Sequence, residues 1–260
     1  MRWIRYDRDG RARYGILEGD RVEEVEGSPF ESYERTRRRF ALGDVRLLPP
    51  VIPPTFYAAG HNYTKHTKEA AELLGTKIAV PAKPDIGYRA TNALIAHGEP
   101  IVIPRSSAGK IQYEGELVAV IGKKVKHVSE AEALSCVFGY TIGNDVSERA
   151  WQAQDKTLWR AKNSDTFKPM GPWIETAIDL DALMTRVRLN GKQVAEFKTN
   201  EMIFGVATFI SAMSQCLTLH PGDVIWMGAD SPTLDMVAGD TVEVEISGIG
   251  VLRNPIVAET

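Results

Sequence analysis

The chain has 260 residues, 43% hydrophobic and 25% charged, an ordinary globular composition with enough apolar material for a full core. Lys+Arg of 31 against Asp+Glu of 34 leaves a formal net charge of -3, which offers no general attraction for phosphate backbones, so nucleic acid is not an expected partner. The opening Met1-Arg2-Trp3-Ile4-Arg5-Tyr6 lacks the apolar run of a secretory signal, and no later stretch is long and uncharged enough to cross a bilayer, so the expectation is a cytoplasmic protein without membrane partners.

Before position 50 every basic residue is arginine, and Pro49-Pro50 and Pro53-Pro54 interrupt the chain. A boundary is placed there, between a small N-terminal β-domain (1–50) and a main domain (51–260). Short β-like runs at 3–6, 12–17 and 21–25 are separated by Asp9-Gly10 and Glu18-Gly19-Asp20, which suit hairpin turns. Arg35 to Arg39, preceded by Glu31 and Glu34, reads as a solvated helix face. From 51 onward, strand-like runs recur at 55–59, 100–103, 113–121, 138–144, 185–189, 223–226, 241–246 and 250–254. Helical spacing appears at 64–74, 129–134, 147–155 and 202–213. Strands that outnumber helices without βαβ alternation predict an α+β, mainly β fold: a largely antiparallel mixed β-roll or sandwich. Gly75, Pro81, Pro84 and Gly87 break regularity over 72–89, an irregular loop able to close over a site. Cys136 and Cys216 lie in separate hydrophobic segments without metal-ligand spacing and read as reduced core thiols.

Within the run Tyr113-Glu114-Gly115-Glu116-Leu117-Val118-Ala119-Val120-Ile121, two glutamates occupy alternate positions of an otherwise apolar strand. Alternate residues share a face, so these carboxylates point together and repel unless a shared proton, an arginine or a divalent metal intervenes. Asp145, at the end of the hydrophobic run Gly139-Tyr140-Thr141-Ile142-Gly143-Asn144-Asp145, supplies a third acid and favours the metal. All-oxygen ligation by Glu114, Glu116 and Asp145 suits Mg²⁺ or Mn²⁺, and open coordination positions suit a substrate chelating through two oxygens, such as a 2-oxo acid or an enolised diketone. In Gly60-His61-Asn62-Tyr63-Thr64-Lys65-His66-Thr67-Lys68-Glu69, a helix starting near Thr64 places His66 and Glu69 on one face, where the carboxylate raises the basicity of the imidazole and makes it a candidate general base. His61, His97, His127 and His220 have no such partner and read as ordinary polar residues. Arg149 and Gln152, three apart on a helix directly after Asp145, can face one cavity, and 162–172 reads as a polar loop whose Lys162 can complement substrate charge.

In this order these segments, together with Asn200-Glu201-Met202-Ile203-Phe204 and Pro221-Gly222-Asp223-Val224-Ile225, resemble the fumarylacetoacetate hydrolase superfamily from about Thr55 to the C-terminus. The resemblance implies a mixed β-roll, usually in homodimers, with Mg²⁺ on Glu114, Glu116 and Asp145. It puts the catalytic dyad on His66 and Glu69, the oxyanion-steadying groups on Gln152 and Lys162, a family arginine on Arg149, and a position beside the metal on Thr166. The N-terminal segment is similar to the small β-domain of bacterial members assigned as 2-hydroxyhepta-2,4-diene-1,7-dioate isomerases. Two positions depart from the family pattern in regions expected to bind substrate. Ala229 stands where a threonine is common, and Arg89 where a lysine is common, a planar fork in place of an ammonium. The reading is a Mg²⁺-dependent hydrolase that cleaves a carbon–carbon bond in a 2,4-dioxo acid of the acylpyruvate type through a stabilised enolate. Its alternatives are an isomerase or decarboxylase of 2-oxo or 2-hydroxydiene dicarboxylates, and a non-catalytic dicarboxylate- and metal-binding protein.

Overall fold

The computed structural model describes residues 1–65, 80–230 and 232–260. The first 50 residues form a meander of β1 (Arg2–Arg8), β2 (Arg11–Glu18), β3 (Arg21–Gly27), β4 (Tyr33–Ala41) and β5 (Arg46–Leu48). Then come β6 (Phe56–Ala59), β7 (Ile86–Tyr88), β8 (Leu94–Ile95), β9 (Ile101–Ile103), β10 (Ile111–Gln112), β11 (Gly115–Ile121), α1 (Glu130–Ala133), β12 (Val137–Asn144), β13 (Ser147–Glu148) and α2 (Arg149–Gln152). β14 (Lys168–Glu175), β15 (Met184–Leu189), β16 (Lys192–Lys198), α3 (Val206–Cys216), β17 (Val224–Trp226), β18 (Asp235–Met236), β19 (Thr241–Ile246) and β20 (Gly250–Ala258) complete the chain. A large sheet runs β4-β3-β2-β1-β14-β12-β11-β17-β6-β7, a second runs β16-β15-β19-β20-β9, and a short third runs β13-β10-β18. The fold is α+β and mainly β, with mostly antiparallel pairing. No helix among the described residues is long and apolar enough to cross a membrane.

β11 explains how the two large sheets come together. Leu117, Ala119 and Ile121 project into the core shared with Val187, Val242 and Val244 of the second sheet, while Val118 and Val120 join Phe56, Met170 and Trp226 on the opposite face. Strand alternation therefore puts Glu116 on the Val118 side and Gly115 on the inter-sheet side. A Cβ at Gly115 would stand 2.8 Å from Val244 Cγ1 and 3.2 Å from Val187 Cγ2, so the glycine lets the carboxylate-bearing end of β11 lie against the second sheet. On β12, Gly143 pairs with Glu116 in register, and the Trp226 ring fills the space its side chain would take.

Several expectations change. Arg35 to Arg39 lie on the edge strand β4, not on a helix: Arg39 and Arg35 reach the buried Glu23 across the ladder, and Arg38 reaches the buried Glu24. Those cross-strand pairs outweigh the helical pairing inferred from Glu31 and Glu34. β4 carries a bulge at this point, with Arg37 at φ +63°. The predicted helix 147–155 is a two-residue strand followed by the single turn α2, because Glu148 is used as the cap, accepting the Trp151 N–H at 2.6 Å. The predicted polar loop 162–172 contains the first five residues of β14, a central strand whose Pro169, Gly171 and Pro172 disguise it. Cys136 is buried, but Cys216 is exposed at the end of α3, and both are free thiols.

Replacing Gly115 by valine is expected to lower unfolding free energy by about 1–3 kcal/mol, the usual result of overpacking a filled core. Urea denaturation of the variant against wild type measures it; an unchanged midpoint would show that the sheets can part without cost.

Candidate active site

Glu114, Glu116 and Asp145 meet where β11 begins and β12 ends. The Glu114 N–H donates to Asn144 Oδ1 at 2.9 Å and the Asp145 N–H to the Glu114 carbonyl at 2.9 Å, so the two backbones are tied side by side. Glu116 is fixed from a third segment: the Gly228 N–H donates to its Oε2 at 2.8 Å, with Gly228 at φ +85°, a conformation other residues rarely adopt. All three carboxylates are buried, at 6%, 2% and 1% exposure, and one oxygen from each lies within 4.8 Å of the others.

Four cationic side chains crowd this acidic group. Arg149 Nη1 lies 2.7 Å from Glu114 Oε1, and Lys162 Nζ lies 2.6 Å from Glu114 Oε2 and 3.0 Å from Asp145 Oδ2. Lys168 Nζ is 2.6 Å from Asp145 Oδ1 and donates to the Val146 and Phe167 carbonyls, while Arg89 Nη2 donates to Asp145 Oδ2 at 2.9 Å. The acids respond differently. Burial, reinforced by the charges of Asp145 and Glu114, holds the Glu116 carboxyl well above the usual range. Burial opposes ionisation of Asp145 too, but Arg89, Lys162 and Lys168 overcome it and hold that carboxyl well below the usual range. The fully buried Lys168 ammonium is pushed down to about 7 by desolvation, against the pull of Asp145.

An octahedral Mg²⁺ or Mn²⁺ with oxygens at about 2.1 Å spans roughly 4.2 Å between opposite ligands, so the triad fits one hard ion after small side-chain adjustment. Oxygen-only donors match that ion class. Around the acids is a cavity of about 230 Å³ whose wall includes His61, Asp85, Arg89, Gln152, Lys162 and Ala229. Arg149 sits behind it, donating from Nη1 to Gln152 Oε1 at 2.7 Å and from Nε to Gln112 Oε1 at 2.8 Å. Its Nη2 is buried and has no hydrogen-bond partner among the described residues.

Of the residues singled out in the sequence, the structure thus brings together Glu114, Glu116, Asp145, Arg89, Arg149, Gln152, Lys162 and Ala229. His66 and Glu69 lie outside the described residues, as do residues 72–79 of the 72–89 loop. Thr166 is occupied by other work, its hydroxyl accepting the Val102 N–H at 2.8 Å. Three residues escaped sequence reasoning. Lys168 carried a usable signal, a lysine within the apolar run Phe167-Lys168-Pro169-Met170, the same kind of anomaly as the paired glutamates. His61, half-buried and held below its ordinary pKa chiefly by burial, and Asp85 reach the cavity wall through tertiary folding alone.

Residues 55–257 match the family model described as Fumarylacetoacetate (FAA) hydrolase C-terminal, and residues 1–50 match one described as Rv2993c-like, N-terminal. Protein Rv2993c of Mycobacterium tuberculosis is 39% identical over 239 residues, covering 91% of this chain and 88% of that protein. The oxaloacetate tautomerase fahd2, mitochondrial, of Xenopus laevis is 35% identical over 260 residues, covering 95% of this chain and 78% of the other. Among solved structures, 5-carboxymethyl-2-hydroxymuconate delta-isomerase from Mycobacterium smegmatis superposes with a TM-score of 0.90 at 35% identity, over 100% of both chains.

Exchanging Lys168 for methionine removes a buried cation from Asp145 and leaves two carbonyls without their donor. A loss of about 3–5 kcal/mol of stability is expected. Chemical denaturation of the purified variant checks this, and a change below about 1 kcal/mol would contradict a structural role for the ammonium.

Proposed function

The chain belongs to the fumarylacetoacetate hydrolase family, and from that premise we propose that it is a divalent-metal-dependent enzyme that isomerises a small 2-oxo dicarboxylate between its keto and enol forms. The observation that carries this reading is the convergence of three buried carboxylates beside a cavity lined by Arg89 and Lys162. Likeness to proteins named as a tautomerase and a delta-isomerase supports isomerisation. Glu114, Glu116 and Asp145 would hold Mg²⁺ or Mn²⁺, which when bound supplies Lewis acidity toward the 2-oxo oxygen.

The chain's own groups perform the remaining tasks. A dianionic substrate entering the cavity meets Arg89 and Lys162 on its wall, with the charge of Arg149 behind them. Enolisation breaks the C3–H bond and moves its electron pair toward the C2 oxygen. His66, which the sequence spaces three residues before Glu69, is the base assigned to that proton, and the Lys162 ammonium with the Gln152 amide steadies the charge that develops on oxygen. The proton returns to oxygen or carbon to complete either direction. Ala229 presents a methyl group to the cavity, so recognition of the substrate's far end falls to the cationic and imidazole groups on the wall.

A second reading is favoured by the His66 and Glu69 spacing, which suits activation of water. In that case the imidazole deprotonates a water that attacks the distal carbonyl of a 2,4-dioxo acid, and the C3–C4 bond breaks to release a pyruvate-type enolate.

The assay is turnover of oxaloacetate (keto–enol exchange), acylpyruvate (pyruvate release) and a 2-hydroxydienedioate, before and after EDTA. Metal-dependent exchange with little pyruvate release supports the first reading, and pyruvate release the second. Absence of any metal-dependent turnover leaves a dicarboxylate-binding protein. Calorimetry completes the test. Glu116→Ala is expected to abolish Mn²⁺ uptake, while His66→Ala keeps Mn²⁺ and loses turnover; full Mn²⁺ affinity in Glu116→Ala would refute the ligand assignment.

A further inference from the structure

Two of the cations on Asp145 come from segments far apart in sequence, and one side chain outside the cavity wall joins those segments. Lys162 sits in the irregular stretch between α2 and β14, Arg89 directly after β7. Asn163 accepts the Ala90 N–H on Oδ1 at 2.7 Å and donates from Nδ2 to the Leu158 carbonyl at 3.0 Å. The same Leu158 carbonyl accepts the Lys162 N–H at 3.0 Å, and Leu158 holds φ +57°, a constrained turn that lines the cavity. From Asp145 Oδ2 the connection therefore runs out along Lys162, across the Asn163 amide to Ala90, and back through Arg89 to the same oxygen. It is a closed ring.

The far end of the loop has its own anchor. Asp155 accepts the N–H groups of Arg160 and Ala161 at 3.2 and 3.0 Å and the Arg160 guanidinium at 2.8 Å, so the stretch before Lys162 is already folded on itself. Asn163 ties it to the Arg89 segment, helped at the surface by Asn92, whose amide donates to Asp165 at 2.6 Å between two exposed side chains, while further along β8 pairs with β14 at Leu94 and Lys168. The primary amide provides an acceptor for one segment and a donor for the other.

We propose that Asn163 is a positioning residue that locks Arg89 and Lys162 in register against Asp145, so that this carboxylate presents a fixed oxygen to the metal; the inference rests on the metal reading of the triad. Outer groups that orient a ligand typically change metal affinity by roughly 10–100-fold when lost. Asn163→Ala is therefore expected to weaken Mn²⁺ binding about tenfold by calorimetry. Hydrogen-exchange mass spectrometry should show loss of protection in both the 86–94 and 156–166 segments. Asn163→Asp, which keeps the acceptor for Ala90, should restore protection at 86–94. Asn92→Ala removes only the exposed clasp and should leave Mn²⁺ affinity unchanged.

Unchanged exchange at 86–94 in Asn163→Ala overturns the proposal, as does Mn²⁺ affinity equal to or tighter than wild type, or an equal loss in Asn92→Ala. If wild-type protein takes up no Mn²⁺, the metal reading fails by itself, and the exchange experiment still decides whether Asn163 joins the two segments.

Discussion

Three carboxylates that must share one dry corner of the molecule impose the constraint from which the rest of the site follows. Two unit charges of like sign about 4 Å apart repel by roughly 4 kcal/mol at an effective dielectric constant near 20, and burial adds a desolvation penalty for each. Arg89, Arg149, Lys162 and Lys168 offset that repulsion from four separate positions in the chain. Two of them, Arg89 and Lys162, also line the cavity, together with Asp85. The groups that make the acidic cluster tolerable are thus the same ones that an anion in the cavity would meet.

The frame around the cluster is made of staples whose chemistry is purely structural. Asn62 donates to the Met227 carbonyl at 2.8 Å and accepts the Phe204 N–H at 2.9 Å, and Tyr63 donates its hydroxyl to the Thr199 carbonyl at 2.6 Å. The Gly60-His61-Asn62-Tyr63 and Asn200-Glu201-Met202-Ile203-Phe204 blocks, remote in sequence, are therefore parts of one joint. That joint sets Gly228 over Glu116: a Cβ at Gly228 would lie 3.2 Å from the Asn62 Cβ. Backbone precision at this point, rather than a side chain, aims the donor that holds the central carboxylate.

The sequence made the metal-type cluster visible because a strand's period of two is rigid: charges at alternate positions of an apolar run have to share a face, whatever the sheet does elsewhere. The strands from β11 onward were mostly legible for the same reason. β14 was not, since its two prolines and glycine imitate a loop, and only pairing with β12 and β1 on either side reveals a central strand. The short turn α2 was overextended because Glu148 caps from a position that periodicity alone assigns to the helix interior. His61, Asp85 and the Asn163 connection belong to tertiary geometry: each meets residues far away in the chain, and no local pattern encodes that meeting.

The bulged, arginine-laden strand β4 closes one end of the ten-strand path through the large sheet. Such a border is a poor template for a newcomer: the bulge breaks the regular row of free amides and carbonyls, and its guanidinium groups would have to be stripped from Glu23 and Glu24 before another backbone could approach flat. At the opposite border β7 offers only three residues. At both ends of this path the principal sheet is thereby guarded against edge-to-edge pairing with a neighbour.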